Sequence, residues 1–270
     1  MRSGRMPMLD VIDLNIEFHD HLIPETVVYD FDLHMDPGEI VGIVGESGSG
    51  KSMSALAVAG LLSRKDMQKR GKILYQGQDL LSCSRRELRK LQGSEIGMVF
   101  QEPMHSLNPL MRVGAQVEEA LLIHTDLSKE ERRKRAMDML ARVELKDTER
   151  IYRSYPHELS GGQRQRVMLA SALICDPKLL IADEITTALD VTVQAAILDL
   201  LKQLHEERGI SILFISHDLY VVKRICSRVL VMQKGRVVEE GRVEEVFEDP
   251  KTDYTKELLA SIPKIRKLRQ

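Results

Sequence analysis

Eight residues, Gly45-Glu46-Ser47-Gly48-Ser49-Gly50-Lys51-Ser52, restrict this chain more than any other feature. They match GxxxxGK[ST] and fall between an apolar run, Glu39 to Val44, and a segment of helical pattern, Lys51 to Leu62. That spacing carries chemical meaning only between a buried strand and a helix. Glycines there let backbone N–H groups turn inward around phosphate oxygens, and the helix presents its positive end to the same anion. Lys51 is placed to reach the β- and γ-phosphates and Ser52 to offer its hydroxyl to Mg²⁺, with Met53 closing the cradle.

The rest of the chain repeats the strand–helix alternation of a parallel α/β sheet. Lys178 to Ala182 and Ser211 to Ser216 are short apolar runs ending at polar residues, the pattern of strands covered on both faces. Between them Val193, Ile197, Leu200, Leu201 and Leu204 recur at helical spacing, and Gly209 supplies a stop. Residues Glu102 to Leu173 read as largely helical and rich in Arg, Lys and Glu. Within them Ser128-Lys129-Glu130-Glu131 forms a capping box. That stretch interrupts the sheet, so it reads as an inserted subdomain. Val229 to Val238, broken at Lys234-Gly235, reads as a hairpin. The division expected is 8–101 and 173–250 for the two parts of the core, 102–172 for the insert and 251–270 for a short tail. Its basic end, Lys264 to Gln270, is expected to be solvated.

An acidic pair supplies the second half of a nucleotide site. Asp183 and Glu184 end the run Leu179 to Ala182, where α/β sheets place ligands. Asp183 is the candidate to hold Mg²⁺ through its water shell. Glu184 is the candidate to accept a proton from the water attacking the γ-phosphate. His217, at the end of the next apolar run, is placed to donate to that phosphate. Gln101 follows the apolar segment Gly97 to Phe100, where an amide can coordinate Mg²⁺ and orient water. No NKxD motif for reading guanine is present.

Composition narrows the partners. Lys+Arg 39 against Asp+Glu 41, no Trp and 4% aromatics give no field or stacking surface suited to nucleic acid. No apolar run approaches the ~20 residues of a membrane helix, and the basic segment Met1 to Pro7 lacks the apolar core of a secretory signal. If the chain serves a membrane, another subunit supplies the spans. Cys83, Cys175 and Cys226 lie far apart without ligand spacing, and read as reduced cytosolic thiols.

Leu159-Ser160-Gly161-Gly162-Gln163 makes the pattern specific, because LSGGQ resembles the signature of the ABC ATPases. The resemblance covers about residues 8 to 262. It implies an α/β fold with a P-loop NTPase core, an N-terminal antiparallel β portion and an inserted α-helical subdomain. It also implies that Ser160, Gly161, Gly162 and Gln163 cap the γ-phosphate held by an opposing subunit. Gln101 takes the Q-loop place and His217 the H-loop place. Ala188-Leu189-Asp190 resembles the D-loop, with Asp190 communicating across the dimer. The adenine-stacking aromatic is expected in the first strand, at Phe18 or else at Tyr29. QEPMHSLNPLMRVGAQ, LSGGQRQRV and ALDVTVQAAILDLL look like the dipeptide/oligopeptide/nickel importer branch, as does Tyr254-Thr255-Lys256-Glu257-Leu258-Leu259 with Ile262-Pro263 behind it. Many members continue into a cysteine-containing tail. The chain ends at Gln270 without it, so a tail-dependent cofactor or contact is not carried over. Ile185 stands where the family usually places proline after the catalytic glutamate, and its loop is expected to be looser.

The resemblance implies an ATPase at the cytoplasmic face of the cell membrane, peripheral to it. It would work with a second ABC ATPase subunit (same or similar), two permease subunits and, indirectly, an extracytoplasmic substrate-binding protein. Peptides are the expected cargo, nickel or a metal chelate the alternative. The competing classes, a non-transport ABC ATPase and an exporter half, usually bring coiled coils, zinc modules, tandem cassettes or fused membrane spans, none of which this sequence shows.

Overall fold

The apolar runs form the centre of a six-stranded sheet in the computed structural model, which describes residues 6–19, 24–64, 66–100, 106–186 and 190–261. Numbered in chain order, β3 (Ile40–Val44), β6 (Ile96–Val99), β7 (Leu179–Asp183), β8 (Ser211–Ser216) and β9 (Arg228–Gln233) run parallel in the order β9-β3-β8-β7-β6. The hairpin turn at Lys234-Gly235 adds β10 (Arg236–Arg242) antiparallel at one edge. Every residue of β3, β7 and β8 is buried, because the sheet is covered on both faces.

The two faces belong to different cores. Leu180 and Ala182 of β7, with Ile212 and Phe214 of β8, join a cluster shared with helices α3 (Val113–His124), α4 (Lys129–Arg142) and α6 (Gly161–Leu173). The alternate residues Leu179, Ile181, Leu213 and Ile215 join a second cluster with α1 (Lys51–Val58) and a separate antiparallel sheet. That sheet comprises β1 (Leu9–Phe18), β2 (Glu25–Met35), β4 (Met67–Tyr75) and β5 (Gln78–Asp79) in the order β2-β1-β4-β5. The fold class expected from the sequence is the one observed, with period-2 alternation hidden inside runs that are apolar throughout.

Local signals set the helix ends. Ser128 opens α4 as read, its hydroxyl accepting from Glu131 N–H while Glu131 accepts from Ser128 N–H at 2.8 Å. The same box at Ser84 and Glu87 opens α2 (Arg85–Leu91), a helix the sequence reading passed over although S-x-x-E was there. α1 stops at Val58 rather than Leu62, because Gly60 turns left-handed at φ +68°. Further helices are α5 (Thr148–Arg153), α7 (Val191–Arg208), α8 (Leu219–Ile225) and α9 (Val243–Glu248). The last described helix, α10 (Asp253–Ala260), lies within the expected tail, yet Tyr254 and Thr255 are buried in the body of the molecule. Residues 264–270 lie outside the described residues. Among those described, no helix is long and apolar enough to cross a membrane.

Candidate active site

The order β3-β8-β7 brings three strand ends to one edge of the parallel sheet: Gly45 after β3, His217 after β8, and Asp183 with Glu184 after β7. Gly45 leaves β3 against the neighbouring strand β9, where an added Cβ would sit 2.1 Å from the Met232 carbonyl oxygen. Only glycine passes there. The loop reaches α1 at Gly50, and neither a side-chain cap nor an acidic first turn occupies that helix start. Its N–H groups are thus directed at whatever anion the loop encloses.

Lys51, the first residue of α1, is 3% exposed and donates from Nζ to the carbonyls of Gly45 and Glu46, each at 2.8 Å. Nζ also lies 3.8 Å from Glu184 Oε1. Burial lowers the ammonium's pKa, and the charges of Glu184, Asp183 and Glu46 oppose that shift. Ser52 donates from Oγ to Asp183 Oδ1 at 3.0 Å, closing a contact between residues 131 apart in sequence. Burial pushes Asp183 up to about 6, with the Glu184 charge adding to the shift and the Ser52 bond and Lys51 opposing it.

Glu184 has φ +47°, a left-handed conformation that costs a non-glycine residue on the order of 1–3 kcal/mol. Two interactions hold it there. Its N–H donates to the Ile215 carbonyl at 2.9 Å, and the next residue, Ile185, is 1% exposed inside the larger core. Burying an isoleucine contributes roughly 1.5–3 kcal/mol, enough to offset the strain. Here packing anchors the loop in place of a proline's fixed φ. Glu184 Oε2 lies 3.1 Å from Nδ1 of His217, whose side chain remains half exposed. A base, a cation and an imidazole thus converge beside the phosphate loop.

The other candidate residues stand elsewhere. Ser160 caps α6, accepting from Gln163 N–H while Gln163 Oε1 accepts from Ser160 N–H at 3.0 Å. Ser160 and Gly161 are exposed, and a Cβ on Gly161 would meet nothing within 4 Å. Asp190 caps α7 by accepting from Val193 N–H at 2.9 Å. Phe18 ends β1 beneath the Arg64 guanidinium, 5.1 Å from the ring centroid. Tyr29 lies on β2 beneath Arg236, with its N–H bonded to the Gly235 carbonyl. Gln101, Ala188 and Leu189 lie outside the described residues. The sequence reading missed Tyr254, whose hydroxyl accepts from the Glu46 N–H at 3.0 Å; the YTKELL string had marked only a branch.

A parallel sheet with a phosphate loop after one strand and a carboxylate pair two strands away defines a P-loop nucleoside-triphosphatase core. The family follows from comparison: residues 28–187 match the model described as ABC transporter, and the chain belongs to that family. It is an ATP-hydrolysing cassette. The "Oligopeptide transport ATP-binding protein OppD" of Bacillus subtilis (strain 168) is 49% identical over 257 residues, covering 95% of this chain and 72% of that protein. The "Peptidoglycan transport ATP-binding protein YejF" of Agrobacterium fabrum is also 49% identical, over 97% of this chain, which spans only 48% of that longer relative. Among solved structures, the dimeric bacterial ABC transporter cassette MJ0796 superposes with a TM-score of 0.79 at 32% identity, covering 87% of this chain and 99% of that one.

Proposed function

We propose that this chain powers the import of di- and oligopeptides through a partner membrane permease, by binding and hydrolysing ATP at the cytoplasmic face. The observation that carries the reading is the convergence of Lys51, Ser52, Asp183, Glu184 and His217 at one sheet edge. The names of the relatives at 49% identity support peptides as the cargo class.

In this reading the α1 N–H groups and Lys51 hold the phosphates, and Glu184 accepts the proton of the attacking water. Its bond to His217 orients both groups toward the γ-phosphate. Ser52 and Asp183 suit Mg²⁺: two hard oxygen donors converge, and the buried carboxyl gains from a cation beside it. Gln101 is the third candidate ligand. The ion, when bound, neutralises charge on the β- and γ-phosphate oxygens. Phe18, with Tyr29 as the alternative, is the candidate for stacking on adenine.

Ser160 to Gln163 fit a γ-phosphate presented by a second cassette, because Gly161 faces open space and the helix start behind it can receive an anion. Asp190 sits at a helix start on the same account. In this reading, as the family resemblance implies, the partners comprise a second ATPase, two permease subunits and, indirectly, an extracytoplasmic binding protein. An apolar groove lined by Leu61, Met98, Phe100, Leu107 and Met168, where β6 leads toward Gln101, supports docking of a permease helix. Cells whose only copy carries Glu184→Gln are expected to lose uptake of labelled di- and oligopeptides. Loss of nickel uptake alone would move the cargo to metal, and unchanged uptake of both would overturn the importer reading.

A further inference from the structure

The string Tyr254 to Leu259 has no part in the chemistry above, yet it reaches the phosphate loop. Tyr254 begins α10 at its second position, is 9% exposed, and accepts a hydrogen bond from the Glu46 N–H at 3.0 Å. That N–H shares a peptide group with the Gly45 carbonyl, which accepts from Lys51 Nζ at 2.8 Å. C=O and N–H of a trans peptide point in opposite directions. One peptide plane is therefore gripped from both sides, by the lysine within the loop and by the tyrosine outside it. Rotation of that plane would carry away one of the two carbonyls on which Lys51 is seated.

The tyrosine is itself held from the sheet. Glu239 of β10, 7% exposed, accepts from Lys251 N–H at 2.9 Å, Thr252 N–H at 3.1 Å and Thr252 Oγ1 at 3.2 Å. Thr252 in turn caps α10, its hydroxyl accepting from Thr255 N–H at 3.1 Å. A carboxylate buried to this extent is tolerated only when donors surround it, and these donors fix the turn that aims Tyr254.

We propose that Tyr254 is a positioning residue for ATP binding, its hydroxyl fixing the Gly45–Glu46 peptide so that Lys51 stands ready for the phosphates. Glu239 anchors this brace. The inference rests on the reading of the Lys51 loop as the ATP site, and its test separates the two. The purified full chain with Tyr254→Phe keeps the ring and loses only the hydroxyl. MgATP and MgADP are titrated against it, steady-state hydrolysis is measured, and the nucleotide-free Tm is recorded, with Lys51→Ala alongside. One such hydrogen bond corresponds to a change of about 3- to 10-fold in affinity. Kd and KM for ATP are expected to rise by that factor with kcat within about twofold. Glu239→Gln is expected to weaken binding in the same direction by less. A lower Tm with unchanged Kd would mean a merely structural role and would overturn the proposal. So would unchanged Kd in Tyr254→Phe when Lys51→Ala abolishes binding, and that result leaves the ATP site standing. ATP binding undiminished in Lys51→Ala would overturn both.

Discussion

Two glycine-rich turns in this chain precede helices, and they are finished to different degrees. The loop from Gly45 to Ser52 packs against β9, buries its lysine at 3% exposure and borrows partners from β7 and α10. The turn from Ser160 to Gln163 uses its side chains to cap its own helix, and its first glycine faces open space. A site that is complete carries its constraints in the chain's own packing. In the second turn the first glycine leaves room rather than fit, as the proposed contact with a second cassette would require. The contrast predicts that substitutions in the first turn damage nucleotide binding by one chain, whereas substitutions in the second damage only what two chains do together.

The largest effect is expected from Gly45→Val, whose Cβ would meet the Met232 carbonyl at 2.1 Å. Titration with ATP should show binding weakened most of all the variants, because the loop cannot keep its path around the phosphates while that overlap stands. Next comes Glu184→Gln, which should lower hydrolysis by about 10²–10⁴-fold with ATP affinity within about twofold. Gly161→Asp adds a carboxylate where there is space for it. It should leave folding and single-chain ATP affinity intact while reducing hydrolysis at least about tenfold. Mixing Gly161→Asp with Lys51→Ala chains should restore part of the activity, since one pairing then has both turns intact. No recovery would break the contrast.

The smallest effect concerns stability. With Asp183 held near 6 in the folded chain against 3.8 for a free carboxyl, the folded state binds this proton more tightly than the unfolded one. The penalty is absent below about pH 4, grows as pH rises to 6 and is complete above it. Asp183→Asn should therefore stabilise the nucleotide-free chain by up to about 3 kcal/mol at pH 7.5 and by less toward pH 4, measured by urea unfolding.

What could be read from the sequence divides along the same line. Ser128 with Glu131, Lys234-Gly235 and the Gly45–Ser52 loop are local signals, in which residues a few positions apart settle the backbone. The strand runs were legible as strands, but not their division between two cores, because Leu179 and Leu180 are equally apolar and only the layers on either side tell them apart. The left-handed Glu184 was hidden for a similar reason: its support comes from Ile215 on another strand and from the burial of the adjacent Ile185 in a core built by residues far along the chain. Tyr254 was read as part of a branch motif, since nothing near it in sequence points 208 residues back to Glu46.

That separation has a consequence for the chain as it is made. Synthesis runs from the N-terminal side, so the phosphate loop is made well before the Asp183 and Tyr254 that complete it. At about 5–20 residues per second the interval to Tyr254 is on the order of 10–40 seconds. A nascent cassette at that stage lacks both Asp183 and the Tyr254 brace, so its nucleotide affinity is expected to reach its full value only once α10 docks.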